Sequence, residues 1–138
     1  MVQRGRAGRG VPATVRLKTW ASLALGASPG ELTLRIVGPA ESRRLNRTFR
    51  GKDNPTNVLS FHGAPGQVGD LVICAAVVAA EAREQGKTPT QHWAHMVIHG
   101  VLHLRGYDHI SPADAKVMEA RERAILARLS IPDPYEPR

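Results

Sequence analysis

The chain has 138 residues, of which 42% are hydrophobic, and it carries a formal net charge of +7. This length suits one domain with a hydrophobic core, and the charge favours an anionic partner such as nucleic acid. The single cysteine, Cys74, excludes an internal disulfide framework and the thiolate-rich zinc modules, so we expect a cytoplasmic protein. No apolar run approaches the roughly 20 residues of a membrane span, so we expect no membrane partner.

The first part of the chain predicts a helix, a strand and a second helix. Four apolar residues at helical spacing predict an amphipathic first helix; they are Leu17, Trp20, Ala21 and Ala24. Residues 31–38 alternate apolar and polar side chains, as a half-buried strand does. Pro39 and Glu41 are typical of the first turn of a helix, which we expect to reach about Phe49. Residues 51–57 are rich in turn formers and predict an ordered loop.

The second part predicts two short strands and three helices. The strands are expected at residues 58–61 and 70–75, and a helix over residues 75–85 should end at Gly86. Thr88 or Thr90 can cap the next helix, and Ser111 can cap a last helix that ends near Leu129. This irregular order predicts an α+β fold with a small mixed sheet of about four strands and about five helices. We expect one domain over residues 1–138, with residues 130–138 as a frayed tail.

The segment HGVLHLRGYDH, residues 99–109, contains three of the six histidines. His99 and His103 are four residues apart, so a helix places both on one face, where two imidazoles can bind one ion. Gly106 can end the helix and return the chain, which would bring His109 to the same ion. Three neutral imidazoles leave a fourth tetrahedral position for water, as in catalytic zinc sites. The motif therefore predicts a metal site formed by His99, His103 and His109.

Other histidines lie near this motif, and one class of proteases shares its spacing. His95 is too far along a straight helix to join His103 at one ion, because eight residues span about 12 Å. We therefore interpret His92 and His95 as core histidines. The spacing also matches the zinc-protease motif H-E-x-x-H-x-x-G-x-x-H, except that Gly100 replaces the glutamate that acts as general base. Peptide hydrolysis is therefore the weaker inference.

Three arginines of the second predicted helix are spaced so that they share one face. Arg43, Arg47 and Arg50 would form a row that could follow phosphates, although a solvated helix face is the alternative interpretation. Arg50 adjoins the 51–57 loop, which could fix its direction.

Three segments resemble the YbeY family: FRGKDNPTNVLSF (49–61), GDLVIC (69–74) and HGVLHLRGYDH (99–109). The resemblance implies a metal-dependent, single-strand-specific endoribonuclease that acts in rRNA processing, at the 3′ end of small-subunit rRNA, and in ribosome quality control. It implies a zincin-like α+β fold, with His99, His103 and His109 as metal ligands. Arg50 and His99 are then the expected catalytic residues.

The resemblance also implies partners and a cofactor. The partners are single-stranded RNA, the small ribosomal subunit and the GTPase Era. We expect one divalent ion, zinc, although imidazole ligands also suit nickel, copper and iron. The family opens with a full first strand, of which only Val2 and Gln3 would be present here. Two alternatives stay open: a metal-dependent hydrolase of a peptide or small molecule, and a non-catalytic RNA-binding ribosome assembly factor.

Overall fold

The computed structural model describes residues 2–4, 10–28 and 30–135. Within these residues, four strands and five helices form the α+β fold expected from the sequence. The strands are β1 (Val2–Arg4), β2 (Glu31–Val37), β3 (Val58–His62) and β4 (Gln67–Cys74). The helices are α1 (Thr14–Leu25), α2 (Pro39–Arg50), α3 (Ala75–Glu84), α4 (Pro89–Leu104) and α5 (Pro112–Arg128). None of the helices in the described part is long and apolar enough to cross a membrane.

The sheet is mixed and has the strand order β1-β2-β4-β3. β1 and β4 run parallel to β2, while β3 pairs antiparallel with β4. Leu34 of β2 lies opposite Leu71 of β4, and Ile73 of β4 lies opposite Val58 of β3. β4 begins at Gln67, earlier than residue 70 predicted from hydrophobicity, because Gln67 and Gly69 pair with Glu31 and Leu32 of β2. In this strand order, the antiparallel strand β3 forms one edge of the sheet.

The core lies between the sheet and helices α1, α4 and α5. The four apolar positions predicted for the first helix are the buried residues of α1. Trp93, Val97 and Val101 of α4 are also buried and face this core. Almost every residue of α4 is at least partly covered, so this helix is the central element against which the other layers pack.

Local signals in the sequence explain where the helices begin and end. Of the two threonines considered for α4, Thr88 is the cap: its hydroxyl accepts from the backbone N–H of Gln91, whose side chain accepts from the N–H of Thr88. Ser111 caps α5 by accepting from the N–H of Asp114. These caps fix the register of the two helices that carry the candidate site.

The chain after α5 folds back onto the domain. The predicted frayed tail, residues 130–138, includes residues 136–138, which lie outside the described residues. Leu129 and Ile131 pack against the core, and Tyr135 reaches the neighbourhood of α4. The segment just after α5 is thus held by apolar and polar contacts.

Candidate metal centre and active-site cleft

Helix α4 and the turn after it place three histidines beside one another. Gly106 has φ +99°, a left-handed conformation that glycine adopts without strain, and its N–H donates to the carbonyl of His103. The backbone N–H of Tyr107 donates to the carbonyl of Leu102, so the chain turns back across the end of α4. This turn brings the His109 ring to 5.6 Å from the His99 ring and 6.2 Å from the His103 ring, measured between centroids.

These separations can be tested against a metal site. With metal–nitrogen bonds of about 2.0–2.1 Å in tetrahedral geometry, the centroids of coordinating imidazoles lie roughly 5 Å apart. The observed centroid distances of 5.6 and 6.2 Å exceed that value by about an ångström or less. His109 is therefore brought near both His99 and His103, at separations slightly longer than those of imidazoles that share one ion.

A buried carboxylate lies behind His99. Glu122 of α5 has no exposed surface, and its Oε1 is 2.9 Å from Nδ1 of His99. Its Oε2 is 2.7 Å from Nε2 of His95 and accepts a second hydrogen bond of 2.7 Å from the hydroxyl of Tyr135. One carboxylate thus connects α4, α5 and the chain after α5.

Glu122 and Tyr135 were not found from the sequence. Glu122 stands in the charged segment EARER, which alone suggests a solvated face. Its spacing from two buried residues of α5, Met118 and Ile125, places it on the core-facing stripe of the helix. That spacing is the signal that could have identified Glu122, whereas Tyr135 has no local signal.

The hydrogen bonds around Glu122 determine its charge. Burial alone would raise the pKa of Glu122, but hydrogen bonds from His95 and His99 outweigh it and lower the pKa to about 2. Burial lowers the pKa of His95 despite its hydrogen bond to Glu122. Burial also raises the pKa of Tyr135, and the neighbouring carboxylate raises it further. At neutral pH the carboxylate is ionised, His95 is neutral and the tyrosine hydroxyl keeps its proton to donate.

A second group of possible ligands overlaps with the first. Among the described residues, His95, His99 and Glu122 each offer a ligand atom, and these atoms lie within 4.8 Å of one another. The structure therefore contains a cluster that could hold a metal ion, and His99 belongs to both groups. His95 is buried and hydrogen-bonded, as expected for a core histidine, and it also lies beside the candidate metal centre.

The histidines open into a cleft of about 540 Å³. Its wall is formed by the end of α2, the 51–57 loop, β3, α4 and the chain segments after α4 and α5. The lining residues include Arg50, Ser60, Phe61, His95, His99, His103, His109 and Tyr135. His62, which had no predicted role, lies at the end of β3 with its ring 6.4 Å from that of His103. Several histidines and Arg50 therefore line the same cleft.

The row of arginines predicted on α2 separates in the structure. Arg43 makes a two-pronged ion pair with Asp53, with its Nε 2.8 Å from Oδ1, and Nη1 of Arg47 lies 3.8 Å from the same oxygen. Arg50 instead lines the cleft. Gly51 follows it in the left-handed region, with φ +70°, and ends α2. Of the three arginines, Arg50 is the one placed next to the histidines.

The 51–57 loop is ordered, as predicted, because side chains bind its backbone. The Ser42 hydroxyl donates to the carbonyl of Thr56 and accepts from its N–H, at 3.0 and 2.9 Å. Nδ2 of Asn46 donates to the carbonyl of Asn54 at 2.8 Å. Both Ser42 and Asn46 are buried on α2, so they anchor the loop beside Arg50.

Gly100 shows why the protease glutamate is missing. A Cβ at this position would lie 2.7 Å from Cδ2 of Leu71 and 3.2 Å from Cγ2 of Val58. Leu71 is fully buried in β4, so a larger side chain could enter only if packed side chains of the sheet, or α4 itself, shifted. A glutamate at this position would therefore be forced against the sheet, which agrees with protease activity being the weaker inference.

Comparisons with known proteins agree with this geometry. The family model described as Endoribonuclease YbeY matches residues 13–130. The chain is 54% identical to Endoribonuclease YbeY of Halorhodospira halophila, over 96% of this chain and 93% of that protein. It is 56% identical to Endoribonuclease YbeY of Stutzerimonas stutzeri, over 90% of this chain and 83% of the relative.

A solved structure extends the similarity to the fold. The solution structure of TM1509 from Thermotoga maritima superposes with a TM-score of 0.63 at 25% identity, covering 99% of this chain and 97% of that one. The family match spans well over half of the chain, and the relatives are similar along most of their own length. The chain therefore belongs to the Endoribonuclease YbeY family.

Proposed function

We propose that this chain is a metal-dependent endoribonuclease that cleaves single-stranded RNA and acts in rRNA processing, at the 3′ end of small-subunit rRNA, and in ribosome quality control. The observation that carries the proposal is the convergence of three imidazoles in a cleft that is also lined by an arginine. Membership of the Endoribonuclease YbeY family supports RNA as the substrate.

His99, His103 and His109 would hold one divalent ion in this cleft. The fit rests on the ring separations, and an all-imidazole donor set suits zinc, which we propose as the ion. When bound, such an ion supplies Lewis-acid chemistry at a phosphate oxygen or at water. His99 has a double role in this proposal, because it also contacts the buried carboxylate of Glu122.

Arg50 would act on the phosphate. Arg50 lines the same cleft, where its guanidinium could offset the negative charge that builds on the phosphoryl oxygens as the bond breaks. The planar guanidinium can contact two phosphate oxygens at once, which a lysine cannot do. The formal net charge of +7 would also attract RNA to the surface before it enters the cleft.

The proposal also includes the partners and the cellular location of the protein. The small ribosomal subunit and the GTPase Era are proposed partners, supported by the resemblance of the three motifs to the YbeY family. A cytoplasmic location is supported by the one cysteine, Cys74, which is buried and free.

The proposal is tested with RNA of defined structure. The purified protein, incubated with a single-stranded RNA and with the same sequence in a duplex, should cleave the single strand, lose activity with a chelator and regain it with Zn²⁺.

Arg50→Ala should slow cleavage by roughly 100-fold, by analogy with the loss of one transition-state donor. Arg44→Ala is the matched control, since Arg44 lies on the same helix with a largely exposed side chain near Glu41. Cleavage that survives exhaustive metal removal, or equal effects of the two substitutions, would contradict the proposal.

A further inference from the structure

We propose that Glu122 and Tyr135 are positioning residues of the metal centre: the carboxylate fixes the His99 ring with Nε2 towards the cleft, and the tyrosine hydroxyl fixes the carboxylate. This inference rests on the proposed function, because it assumes that His99 binds the ion. It assigns a role to two residues that lie outside the histidine motif, on α5 and on the chain after it.

The carboxylate is held in one orientation by its donors. A buried charge is costly unless it is hydrogen-bonded, and Glu122 is fully buried. Its two oxygens accept from His99, His95 and Tyr135 at 2.9, 2.7 and 2.7 Å. Rotation of the carboxylate would break these hydrogen bonds at once, so its position is fixed by the groups around it.

The fixed carboxylate determines which nitrogen of His99 is available. Because the Glu122 carboxylate also accepts from the Tyr135 hydroxyl and lies against two imidazoles, the hydrogen bond at 2.9 Å places a proton on Nδ1 of His99. In a neutral ring this leaves the lone pair on Nε2, on the far side of the imidazole. A carboxylate behind a metal-binding histidine sets its tautomer and raises its basicity as a ligand.

The distances favour this role over direct coordination by Glu122. Two ligand atoms that share a tetrahedral ion at about 2.0–2.2 Å lie roughly 3.3 Å or more apart. The oxygens of Glu122 lie 2.9 Å from Nδ1 of His99 and 2.7 Å from Nε2 of His95. These shorter separations are those of a shared proton.

Tyr135 reaches Glu122 because the chain after α5 is anchored by α5 itself. Nε of Arg123 forms a 2.9 Å ion pair with Asp133, and the same carboxylate accepts from the backbone N–H of Tyr135 at 2.8 Å. The guanidinium of Arg123 lies over the Tyr135 ring, 5.9 Å from its centroid. These contacts present the hydroxyl to Glu122 and place the ring in the cleft wall.

The experiment compares metal affinity in the full chain. Wild type, Glu122→Gln and Tyr135→Phe are titrated with Zn²⁺ against a chromophoric chelator. Glu122→Gln should keep one ion per chain but bind it about 10- to 100-fold more weakly, which is the usual effect of removing an outer partner of a ligand. Tyr135→Phe should weaken binding by a smaller factor. The matched control is Glu119→Gln, which removes a carboxylate one turn away on α5, paired with Arg123 at 3.6 Å.

A spectroscopic measurement separates positioning from folding. Nitrogen-15 NMR of the metal-free protein should show His99 with its proton on Nδ1 in wild type and in Glu119→Gln. Tyr135→Phe, which keeps the packed ring, should broaden or shift the His99 signals even if Glu122→Gln does not fold. A wild-type His99 protonated on Nε2, or a Tyr135→Phe protein with unchanged signals and affinity, would overturn the inference.

The remaining outcomes are also distinguishable. If Glu122→Gln abolishes ion binding while His109→Ala leaves it intact, Glu122 is itself a ligand and the inference is wrong. If wild type binds no ion, the proposed function fails, and the inference fails with it. If wild type binds one ion with unchanged affinity in folded Glu122→Gln, the inference alone fails.

Discussion

The two walls of the cleft are built on different physical principles. On one side, α4 and α5 enclose Glu122 completely, and its hydrogen bonds with His95 and His99 are buried and part-buried. On the other side, α2 and the 51–57 loop carry exposed ions, such as Arg43 and Asp53, whose side chains are 55% and 52% accessible. Hydrogen bonds in a low-dielectric interior fix positions, whereas exposed charges are screened and move. The first wall suits a metal ion, and the second suits a flexible polyanion.

The largest effect is expected when a proposed metal ligand is removed from the first wall. His109→Ala removes one of three proposed metal ligands on the turn after α4, so RNA cleavage should fall by more than about 100-fold, the upper range for loss of an outer partner. Rates are measured with single-stranded RNA, alongside the thermal unfolding midpoint. Ile110→Ala is the control, since this neighbour is 89% exposed. Near wild-type cleavage by a folded His109→Ala protein would contradict the assignment.

A second prediction concerns the packing beneath that wall. Gly100→Ala places a Cβ 2.7 Å from Cδ2 of buried Leu71, so either the Leu71 side chain or α4 must shift. Overpacking of this kind lowers the free energy of unfolding by about 1–3 kcal/mol, which urea denaturation would measure. A stability equal to that of wild type would show that the sheet yields easily at this position. The explanation given for the missing glutamate would then be wrong.

The smallest effect is expected on the exposed wall. The hydrogen bond from Arg43 lowers the pKa of Asp53, so their ion pair stabilises the fold above the unfolded-state pKa of the carboxyl and is lost as pH falls through its folded-state pKa. Because the pair is solvent-exposed, Asp53→Asn should leave the unfolding midpoint at neutral pH close to that of wild type. A large loss of stability at neutral pH, absent at low pH, would show that this wall is as rigid as the other.

The sequence predicted the elements of the fold better than the complete site. Helix caps and apolar spacing are local signals, so Thr88, Ser111 and the buried positions of α1 could be identified before the structure was known. His99, His103 and His109 were also grouped from local spacing and the glycine turn. Whether they bind the ion stays a prediction.

The hydrogen bonds of Glu122 could not be predicted from the sequence, because they join residues that are far apart in the chain. Glu122 lies 23 residues from His99 in the chain, and Tyr135 lies 40 residues from His95. Periodicity within one helix cannot show which residue of α5 meets which residue of α4. From the sequence, His95 was excluded as a ligand because it lies too far from His103 along α4. That distance concerns α4 alone, so it could not predict a carboxylate of α5 that connects His95 with His99.

The central claim is that His99, His103 and His109 hold one divalent ion. X-ray absorption of the zinc-loaded full chain tests this directly, with wild type, His109→Ala and Glu122→Gln measured in parallel. The account predicts one ion per chain with three imidazole ligands in wild type and in Glu122→Gln, and two imidazoles in any ion retained by His109→Ala. A wild-type site whose imidazole count is unchanged by His109→Ala, or one that loses a carboxylate ligand in Glu122→Gln, would contradict it.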